Sequence, residues 1–238
     1  MTGQPRSPRP AWAGIRGISF DLGGTLVRPE AQPTTGQVAQ LLGISLPEAR
    51  TLMEQKAKRH RISPGELAGE LAAAFQRPDL VGQLTYVLER ARRRAAEPDV
   101  YDDVRPTLAA LREQGLALFA MTNSLGSSIP KQTPAAFRDL TQVLYSAETG
   151  AVKPEPAAFA ALEAASGLSP QELLHVGNSQ RADVDGAAAA GWHTAWLNRS
   201  RADIAVPSGT VCLHTLTPLP LLLSAPSAPV PARNSEAH

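Results

Sequence analysis

Features that would assign a chain to a specialised class of protein are scarce in this 238-residue sequence. Cys212 is the only cysteine, which excludes an intrachain disulfide and fits a reducing cytosol. The 23 lysines and arginines almost balance the 22 aspartates and glutamates, so the charge gives no reason to expect a nucleic-acid or membrane partner. No apolar run approaches the length of a membrane span, and residues 1–10 are polar and proline-rich, unlike a signal peptide. We expect a cytoplasmic protein.

A sizeable hydrophobic core is expected, because 43% of the residues are hydrophobic and the chain is long enough for a core with an insert. The proline- and serine-rich ends, residues 1–13 and 216–238, are predicted to be disordered. Residues 14–29 and 98–215 alternate short apolar runs with helical patterns, which indicates a doubly wound, Rossmann-like parallel sheet covered on both faces. The predicted strands are residues 15–20, 116–121, 142–145, 173–176, 194–197 and 211–213.

The stretch between the two α/β segments, residues 30–97, has a different pattern. Strand-like runs disappear and apolar residues recur at helical spacing, which predicts an inserted all-α domain of about four helices. Ser45 is a good N-cap, and Ser63-Pro64-Gly65-Glu66 has the form of a capping box. The predicted helices of the insert are residues 35–42, 45–59, 67–75 and 80–96, and those of the α/β part are residues 105–114, 134–140, 155–166 and 183–190.

A single carboxylate, Asp21, ends the first apolar run, and two glycines, Gly23 and Gly24, follow almost at once. In open α/β sheets ligands bind in the crevice beyond the carboxyl ends of the strands, so Asp21 is expected to stand in that crevice. The two glycines allow the backbone to turn sharply and to approach a ligand closely. An aspartate held there can act as a covalent nucleophile or as a metal ligand.

Polar residues follow two further strands and are expected to converge on the same crevice. Thr122 and Asn123 come after the second predicted strand, and Asn178 comes after the fourth, with Asp183 one turn further on. Lys153 lies on a loop before a helix, from which it can reach the same place. A carboxylate nucleophile, a hydroxyl with free backbone N–H groups, an ammonium and oxygen ligands are what phosphoryl transfer requires, with Mg²⁺ neutralising the shared charge.

These motifs resemble those of the haloacid dehalogenase-like hydrolases, whose first motif is D-x-D-G-T-[LV]. The resemblance covers about residues 14–199, and the helical insert lies where that family carries a helical cap of its first type. We therefore call residues 30–97 the cap. The resemblance implies a Mg²⁺-dependent hydrolase that acts on the phosphomonoester of a small metabolite through an aspartyl-phosphate. The motifs that carry it are Asp21-Leu22-Gly23-Gly24-Thr25-Leu26, then Thr122-Asn123, Lys153-Pro154, and Gly177-Asn178-Ser179 with Asp183.

The same resemblance implies a role for each motif residue. Asp21 would form the aspartyl-phosphate and bind Mg²⁺, and Asp183 would orient water on the metal or pair with Lys153. The phosphate-binding residues so implied are Gly24, Thr122, Asn123 and Lys153. The implied ligands to Mg²⁺ are Asp21, the backbone carbonyl of Gly23, Asn178 and Asp183.

Two motif positions depart from the usual pattern of that family. Gly23 stands where most of its phosphatases carry the aspartate that protonates the leaving group, and such a general acid–base is worth about 10²–10⁴-fold in rate. Asn178 replaces an aspartate and adds no charge to a Mg²⁺ site, so weak metal binding is expected. The alternative function is a catalytically weakened relative that binds a phosphorylated metabolite or a protein partner. A 2-haloacid dehalogenase-type hydrolase, which commonly has tyrosine at position 23, ranks third.

Two basic runs occur in the cap, at residues 50–61 and 90–94. They are interpreted first as solvent-exposed helix faces. The second interpretation is that one run faces the crevice and attracts an anionic substrate. The sequence carries no general code for the substrate and no signal for an oligomeric state.

Overall fold

The computed structural model describes residue 12 and residues 14–224, and its centre is a six-stranded sheet in which all neighbouring strands are parallel. Every strand overlaps a predicted one, and the predicted doubly wound parallel sheet is confirmed. The strands are β1 (Gly17–Phe20), β2 (Ala117–Thr122), β3 (Gln142–Tyr145), β4 (Leu173–Gly177), β5 (His193–Leu197) and β6 (Val211–Leu213).

The order of the strands creates a crevice at one place along the sheet edge. The order is β3-β2-β1-β4-β5-β6, so the chain runs from β1 to one edge and then returns to build the other half. β1 and β4 are therefore neighbours, and Phe20 pairs with Val176 across them in a fully buried position. The direction of winding reverses between these two strands, which is where such sheets bind ligands. Asp21 and Asn178 follow the ends of these two strands.

Helices cover both faces of the sheet. These helices of the α/β part are α5 (Val104–Glu113), α6 (Ser146–Thr149), α7 (Pro156–Ser166), α8 (Gly186–Ala189) and α9 (Leu219–Leu223). The helices of the cap are α1 (Thr34–Leu42), α2 (Leu46–Ala57), α3 (Pro64–Ala74) and α4 (Val81–Ala96). Leu108 of α5 and Leu219 of α9 join one core cluster, and Phe159 of α7 and Ala187 of α8 join the cluster on the opposite face. Burying a leucine or phenylalanine side chain contributes about 1.5–3 kcal/mol, so both faces stabilise the sheet.

The four cap helices pack around an apolar cluster of their own. Met53, Leu67, Leu84 and Leu88 are fully buried there, on α2, α3 and α4. Complete capping boxes at Ser45–Glu48 and Ser63–Glu66 begin α2 and α3, because each serine side chain accepts the N–H of its glutamate three residues later. No helix among residues 12 and 14–224 combines the length and apolarity that crossing a membrane requires.

The two connections between the cap and the α/β part run side by side. Val27 and Val100 form an antiparallel bridge, and the N–H of Arg28 donates to the carbonyl of Asp99 at 2.8 Å. The cap therefore leaves the sheet domain and returns to it at nearly the same point.

Several predicted boundaries are corrected by the structure. The tail predicted to begin at residue 216 instead contributes Leu216 and Leu219 to the core, because leucine spacing outweighs the local proline and serine content. Trp12, in the predicted disordered lead, is also buried in that cluster. Residues 134–140 contain only a 3₁₀ turn at Ala135–Phe137, and a π-helical turn at Gln180–Asp185 precedes α8. The remaining predicted disordered positions, residues 1–11, 13 and 225–238, lie outside the described residues.

Candidate functional site

Asp21 stands directly beyond β1, and the local backbone fixes it there. Its main-chain N–H donates to the carbonyl of Val176 at 2.9 Å, which extends the pairing of β1 with β4. The chain then turns at Gly24, whose φ of +80° lies in the left-handed region. A Cβ at position 24 would collide with the side-chain amide of Asn178. Glycine is therefore required for the turn and for the close approach of Asn178.

Lys153 is the central cation of the site. Its Nζ lies 2.9 Å from Oδ1 of Asp21, 2.7 Å from Oδ1 of Asp183 and 2.8 Å from the main-chain oxygen of Met121. Each N–H of the ammonium thus has an acceptor, although the side chain is only 2% exposed. These three oxygens replace the hydrogen bonds to water that the ammonium loses when it is buried. The structure brings Lys153 to Asp21, as the sequence predicts.

Asp183 has both carboxylate oxygens engaged within the protein. Oδ1 accepts from Lys153 and lies 3.2 Å from Nε2 of His175, and Oδ2 accepts the main-chain N–H of Ser179 at 2.9 Å. A Cβ at Gly177 would collide with this carboxylate, so glycine at the end of β4 makes room for it. Of the two roles expected for Asp183, the structure shows the pairing with Lys153.

His175 is a site residue that sequence reasoning missed. Its ring is fully buried on β4, with Nδ1 3.1 Å from Oγ of Ser19 and Nε2 facing Asp183. The rings of Phe159 and Trp192 lie edge-on to it at centroid distances of 6.0 and 6.4 Å. A single histidine within an apolar strand has no pattern that marks it as functional. The π-helical turn at Gln180–Asp185 brings Asp183 back beside β4, and only this turn pairs Asp183 with His175.

The protonation states in the site follow from burial and neighbouring charge. Burial raises the pKa of Asp21 to about 6, although the ammonium of Lys153 opposes this and the charge of Asp183 adds to it. Burial would also raise the pKa of Asp183, but Lys153 and His175 lower it below its usual range. Burial and the charge of Lys153 lower the pKa of His175, so its ring is neutral at pH 7. The two carboxylates raise the pKa of Lys153 against the effect of burial, which keeps it protonated.

Thr122 and Asn123 lie at the end of β2, but the side chain of Asn123 is not aimed at a ligand. Its Nδ2 donates to the main-chain oxygen of Lys153 at 2.7 Å, and its Oδ1 accepts the main-chain N–H of Lys153 at 2.8 Å. Both ends of the amide therefore position the loop that carries Lys153. Thr122 is buried and lines the cavity described below, where its hydroxyl can meet a ligand.

The three oxygens that the sequence assigns to Mg²⁺ belong to residues that follow the neighbouring strands β1 and β4. They belong to the carboxylate of Asp21, the main-chain carbonyl of Gly23 and the side-chain amide of Asn178, whose Oδ1 lies 3.5 Å from Oγ1 of Thr25. Among residues 12 and 14–224, no group of three or more His, Cys, Asp or Glu side chains could hold a metal ion. A single carboxylate with uncharged oxygens fits Mg²⁺, which keeps several waters and takes one or two protein carboxylates.

A cavity of about 210 Å³ opens beside Gly23, between the sheet domain and the cap. Apart from Gly23 itself and its two chain neighbours, no described residue has a heavy atom within 4 Å of the place where a Cβ of residue 23 would stand. The buried hydroxyl of Ser124 lines the cavity and has no hydrogen-bond partner in the described part of the chain. Because an apolar cavity of roughly 150 Å³ holds benzene, this one is large enough for a leaving group of single-ring size.

The segment after α2 joins the cap to the two loops that enter the site. We call residues 58–63 the cap loop. Arg59 donates to the carbonyl of Gly150 at 3.3 Å and pairs with both carboxylate oxygens of Glu155, and Arg61 pairs with Glu148. A bidentate arginine–carboxylate pair is the strong form of such contacts. The cap loop is therefore fixed against the segment that carries Lys153.

The second basic run is also partly neutralised. Arg92 pairs with Glu89 at 2.8 Å, and Arg94 pairs with Glu30 at 3.2 Å. Arg94 also lines the cavity beside Gly23, so the run belongs partly to the helix surface and partly to the face directed at the crevice.

Close backbone packing of the cap loop on Gly126 leads to a stability prediction. A Cβ at Gly126 would collide with the main-chain carbonyl oxygen of His60 and would lie 2.9 Å from its carbonyl carbon. Backbone gives way less easily than a side chain, so Gly126→Ala is expected to cost about 1–3 kcal/mol in the free energy of unfolding. Urea denaturation measures this, and limited proteolysis in the cap loop should become faster.

The matched control is Gly69→Ala in the middle of α3. No heavy atom of the described residues lies within 4 Å of its Cβ position, apart from its own helix. Alanine there is expected to stabilise the helix by about 0.5–1 kcal/mol. Equal effects of the two substitutions would contradict the role assigned to Gly126.

Comparison with known proteins is consistent with this geometry. A family model described as haloacid dehalogenase-like hydrolase matches residues 15–191. A phosphoserine phosphatase from Thermus thermophilus is 32% identical over 124 residues, which are 51% of this chain and 49% of that enzyme. A phosphatase from Mycobacterium tuberculosis is 29% identical over 202 residues, which are 78% of this chain and 88% of the relative. The chain spans about half the length of two of the relatives that it matches. It covers 49% of the phosphoserine phosphatase and 44% of another phosphatase.

The fold has a close counterpart among solved structures. The crystal structure of a 2-haloacid dehalogenase from Pseudomonas syringae superposes with a TM-score of 0.63 at 22% identity. The superposition covers 88% of this chain and 98% of that protein. The family model, the order of the motifs and the architecture agree. The chain belongs to the haloacid dehalogenase-like hydrolases.

Proposed function

We propose that this hydrolase cleaves phosphomonoesters through an aspartyl-phosphate at Asp21, with Mg²⁺ as its cofactor and a small phosphorylated metabolite as its substrate. The observation that carries the proposal is the position of Asp21 at the winding reversal, 2.9 Å from Nζ of the buried Lys153. A carboxylate beside a fixed cation can attack phosphorus while the cation holds the oxygens of the transferred group.

The reaction would proceed in two displacements at phosphorus. In the first, a carboxylate oxygen of Asp21 bonds to phosphorus and the bond to the leaving-group oxygen breaks. In the second, water attacks phosphorus, the bond to Asp21 breaks, and phosphate leaves. Lys153, the hydroxyl of Thr122 and the main-chain N–H of Asn123 would bind the phosphoryl oxygens. The N–H of Gly24, which was expected to do so, donates to the carbonyl of Val27 at 2.8 Å. Asp21, the carbonyl of Gly23 and Asn178 would hold Mg²⁺, which would neutralise charge shared by nucleophile and phosphate.

Two features support phosphate chemistry over displacement of a halide. The oxygens proposed to bind Mg²⁺ around Asp21 would form a donor set for a hard cation, which a phosphate dianion needs more than a halide does. Position 23 also lacks the tyrosine that the dehalogenase branch commonly carries. The likeness to the dehalogenase from Pseudomonas syringae, at 22% identity, concerns the fold alone.

The test is a parallel assay of two products. The full chain with Mg²⁺ is given acetyl phosphate, aryl and alkyl phosphates, and both enantiomers of 2-chloropropionate, and released phosphate and chloride are measured. We expect phosphate release that Asp21→Asn abolishes, with no chloride release. Chloride release would assign the chain to the dehalogenases, and binding of phosphorylated compounds without turnover would support the binding-protein alternative.

The metal site gives a separate prediction. Asn178→Asp adds a second carboxylate to the oxygens around Asp21, and we expect it to tighten Mg²⁺ binding by about tenfold or more. Calorimetric titration with Mg²⁺ measures the change. Gln180→Glu is the control, because it adds the same charge two residues away on a side chain that contacts the carbonyl of Ala205. Equal Kd values for Asn178→Asp and the wild type would remove Asn178 from the ligand set.

A further inference from the structure

A second and larger cavity opens where the cap meets the sheet domain. Its volume is about 980 Å³, at the upper end of the roughly 300–1,000 Å³ that small-molecule sites occupy. Residues from segments 61–66 and 92–96 of the cap and from segment 126–135 of the sheet domain line it, and we call it the basic groove. None of the described residues that line it belongs to the phosphate or metal site proposed above, and it shares only Pro130 with the cavity beside Gly23.

The lining of the basic groove has a strong excess of positive charge. Four cationic side chains and one carboxylate line it, namely Arg61, Arg92, Arg93, Lys131 and Glu66. The whole chain, by contrast, has a formal net charge of only +1, so this excess is local. Arg61 pairs with Glu148, and Arg92 pairs with Glu89 on its own helix at 2.8 Å. A concave surface lined by charge of one sign raises the local concentration of ions of the other sign, here of anions.

Arg93 and Lys131 are the two cations of the basic groove that take part in no ion pair with another described residue. Arg93 lies on α4 of the cap, and Lys131 lies in the sheet domain, so the two belong to different walls of the groove. Glu66 does not neutralise them, because its carboxylate accepts the main-chain N–H of Ser63 at 2.9 Å in the capping box of α3. A ligand with two negative charges can therefore pair with one cation on each wall.

Ser127 adds an unsatisfied hydroxyl to the lining of the basic groove. The residue is 3% exposed, and its Oγ has no hydrogen-bond partner in the described part of the chain. Buried polar groups in proteins are nearly always hydrogen-bonded, so an orphaned hydroxyl calls for a partner from outside the chain. An oxygen of a bound anion is such a partner, because it accepts the proton that the hydroxyl donates.

We propose that the basic groove binds a small metabolite with at least two anionic groups, phosphates or carboxylates, and that the bound metabolite joins the cap to the sheet domain. Three of the four cations are arginines, whose planar fork pairs with either kind of oxyanion. A small molecule suits the groove better than an acidic protein does, because the cations line a concavity of small-molecule size. The site is separate from Asp21, so the proposal does not depend on the proposed reaction.

The experiment is calorimetric titration of the full chain with tripolyphosphate and with citrate, without added divalent metal ions. We expect the wild type to bind at least one of them with a Kd below about 1 mM at low salt, and the tighter probe identifies the anionic group. The double variant Arg93→Gln/Lys131→Gln is expected to bind it about tenfold more weakly, because the anion loses one cation on each wall. A saturating probe should also slow limited proteolysis in the cap loop of the wild type.

The matched control is the double variant Arg90→Gln/Arg138→Gln, which removes the same charge from α4 and from the sheet domain. Both of these side chains are exposed, and neither lines the basic groove. Equal losses in the two double variants would mean that the probes respond to net charge alone, and the proposed site would be wrong. Binding that Arg93→Gln/Lys131→Gln leaves unchanged would assign the anion to another site. Absence of binding, or proteolysis that the probe does not slow, would also overturn the proposal.

Discussion

Lys153→Met is expected to destabilise the protein by about 3–5 kcal/mol at pH 7.5, because it leaves two buried carboxylates without their shared cation. The ammonium of Lys153 now contacts both Asp21 and Asp183, at 2.9 and 2.7 Å. Methionine fills a similar volume but offers no charge and no hydrogen bond. Urea denaturation of the wild type and the variant in the presence of EDTA measures the loss.

The same substitution is expected to remove activity through the nucleophile. Lys153 opposes the effect of burial on the pKa of Asp21, so without it that pKa rises further and a larger fraction of the carboxylate is protonated at neutral pH. The stability loss should shrink at pH 5, where a protonated Asp21 needs no cation. Lys131→Met is the control, since that side chain is exposed and its removal is expected to cost less than about 0.5 kcal/mol. A loss below about 1 kcal/mol for Lys153→Met would contradict the buried ion pairs.

Asp21→Asn is expected to reduce turnover of every phosphate substrate by roughly 10⁴–10⁶-fold, the scale on which removal of a covalent nucleophile acts. The amide has nearly the same shape and leaves Lys153 paired with Asp183. Binding of inorganic phosphate, measured by calorimetry, should therefore survive far better than turnover. Retention of more than a hundredth of the wild-type rate would mean that Asp21 is not the nucleophile.

The same variant is expected to be more stable than the wild type above pH 6. The pKa of Asp21 rises from 3.8 to about 6 on folding, so the folded protein holds this proton more tightly than the unfolded chain. Ionisation of Asp21 therefore lowers the free energy of unfolding. This penalty is absent below about pH 4, grows between about pH 4 and 6, and is complete above about pH 6. The full penalty is at most about 3 kcal/mol.

Urea denaturation in EDTA at pH 4.5, 6 and 8 measures this pH dependence. The advantage of Asp21→Asn over the wild type should be largest at pH 8 and should fall as the pH is lowered. Asp185→Asn, an exposed aspartate in the turn before α8, is the control and should show no such trend. A constant difference between Asp21→Asn and the wild type would contradict a raised pKa for Asp21.

The architecture and the position of the site could be predicted because they depend on short stretches of sequence. Each strand of this sheet lies in a short, mostly apolar run, and three of the four motifs follow such a run directly. The capping boxes at Ser45 and Ser63 involve residues three apart, so they too are visible in the sequence. The convergence of Asp21 and Lys153 then follows from the geometry of parallel strands.

The missed features depend on residues that meet only after folding. His175 gains its role from a π-helical turn, and helical periodicity predicts instead an α-helix beginning at Asp183. The side-chain amide of Asn123 meets the peptide of Lys153 only in the folded chain, where it pairs with it.

The antiparallel bridge at Val27 and Val100 has a consequence for how such a protein can change over evolutionary time. The two ends of the helical insert lie one main-chain hydrogen bond apart, between Arg28 and Asp99. A segment that begins and ends at one point can be lengthened, shortened or exchanged while the sheet keeps its connections, since the entropy of closing a loop grows only slowly with its length. Substrate choice can therefore diverge between descendants of one ancestor while the strand ends that carry Asp21, Lys153 and Asn178 stay in place.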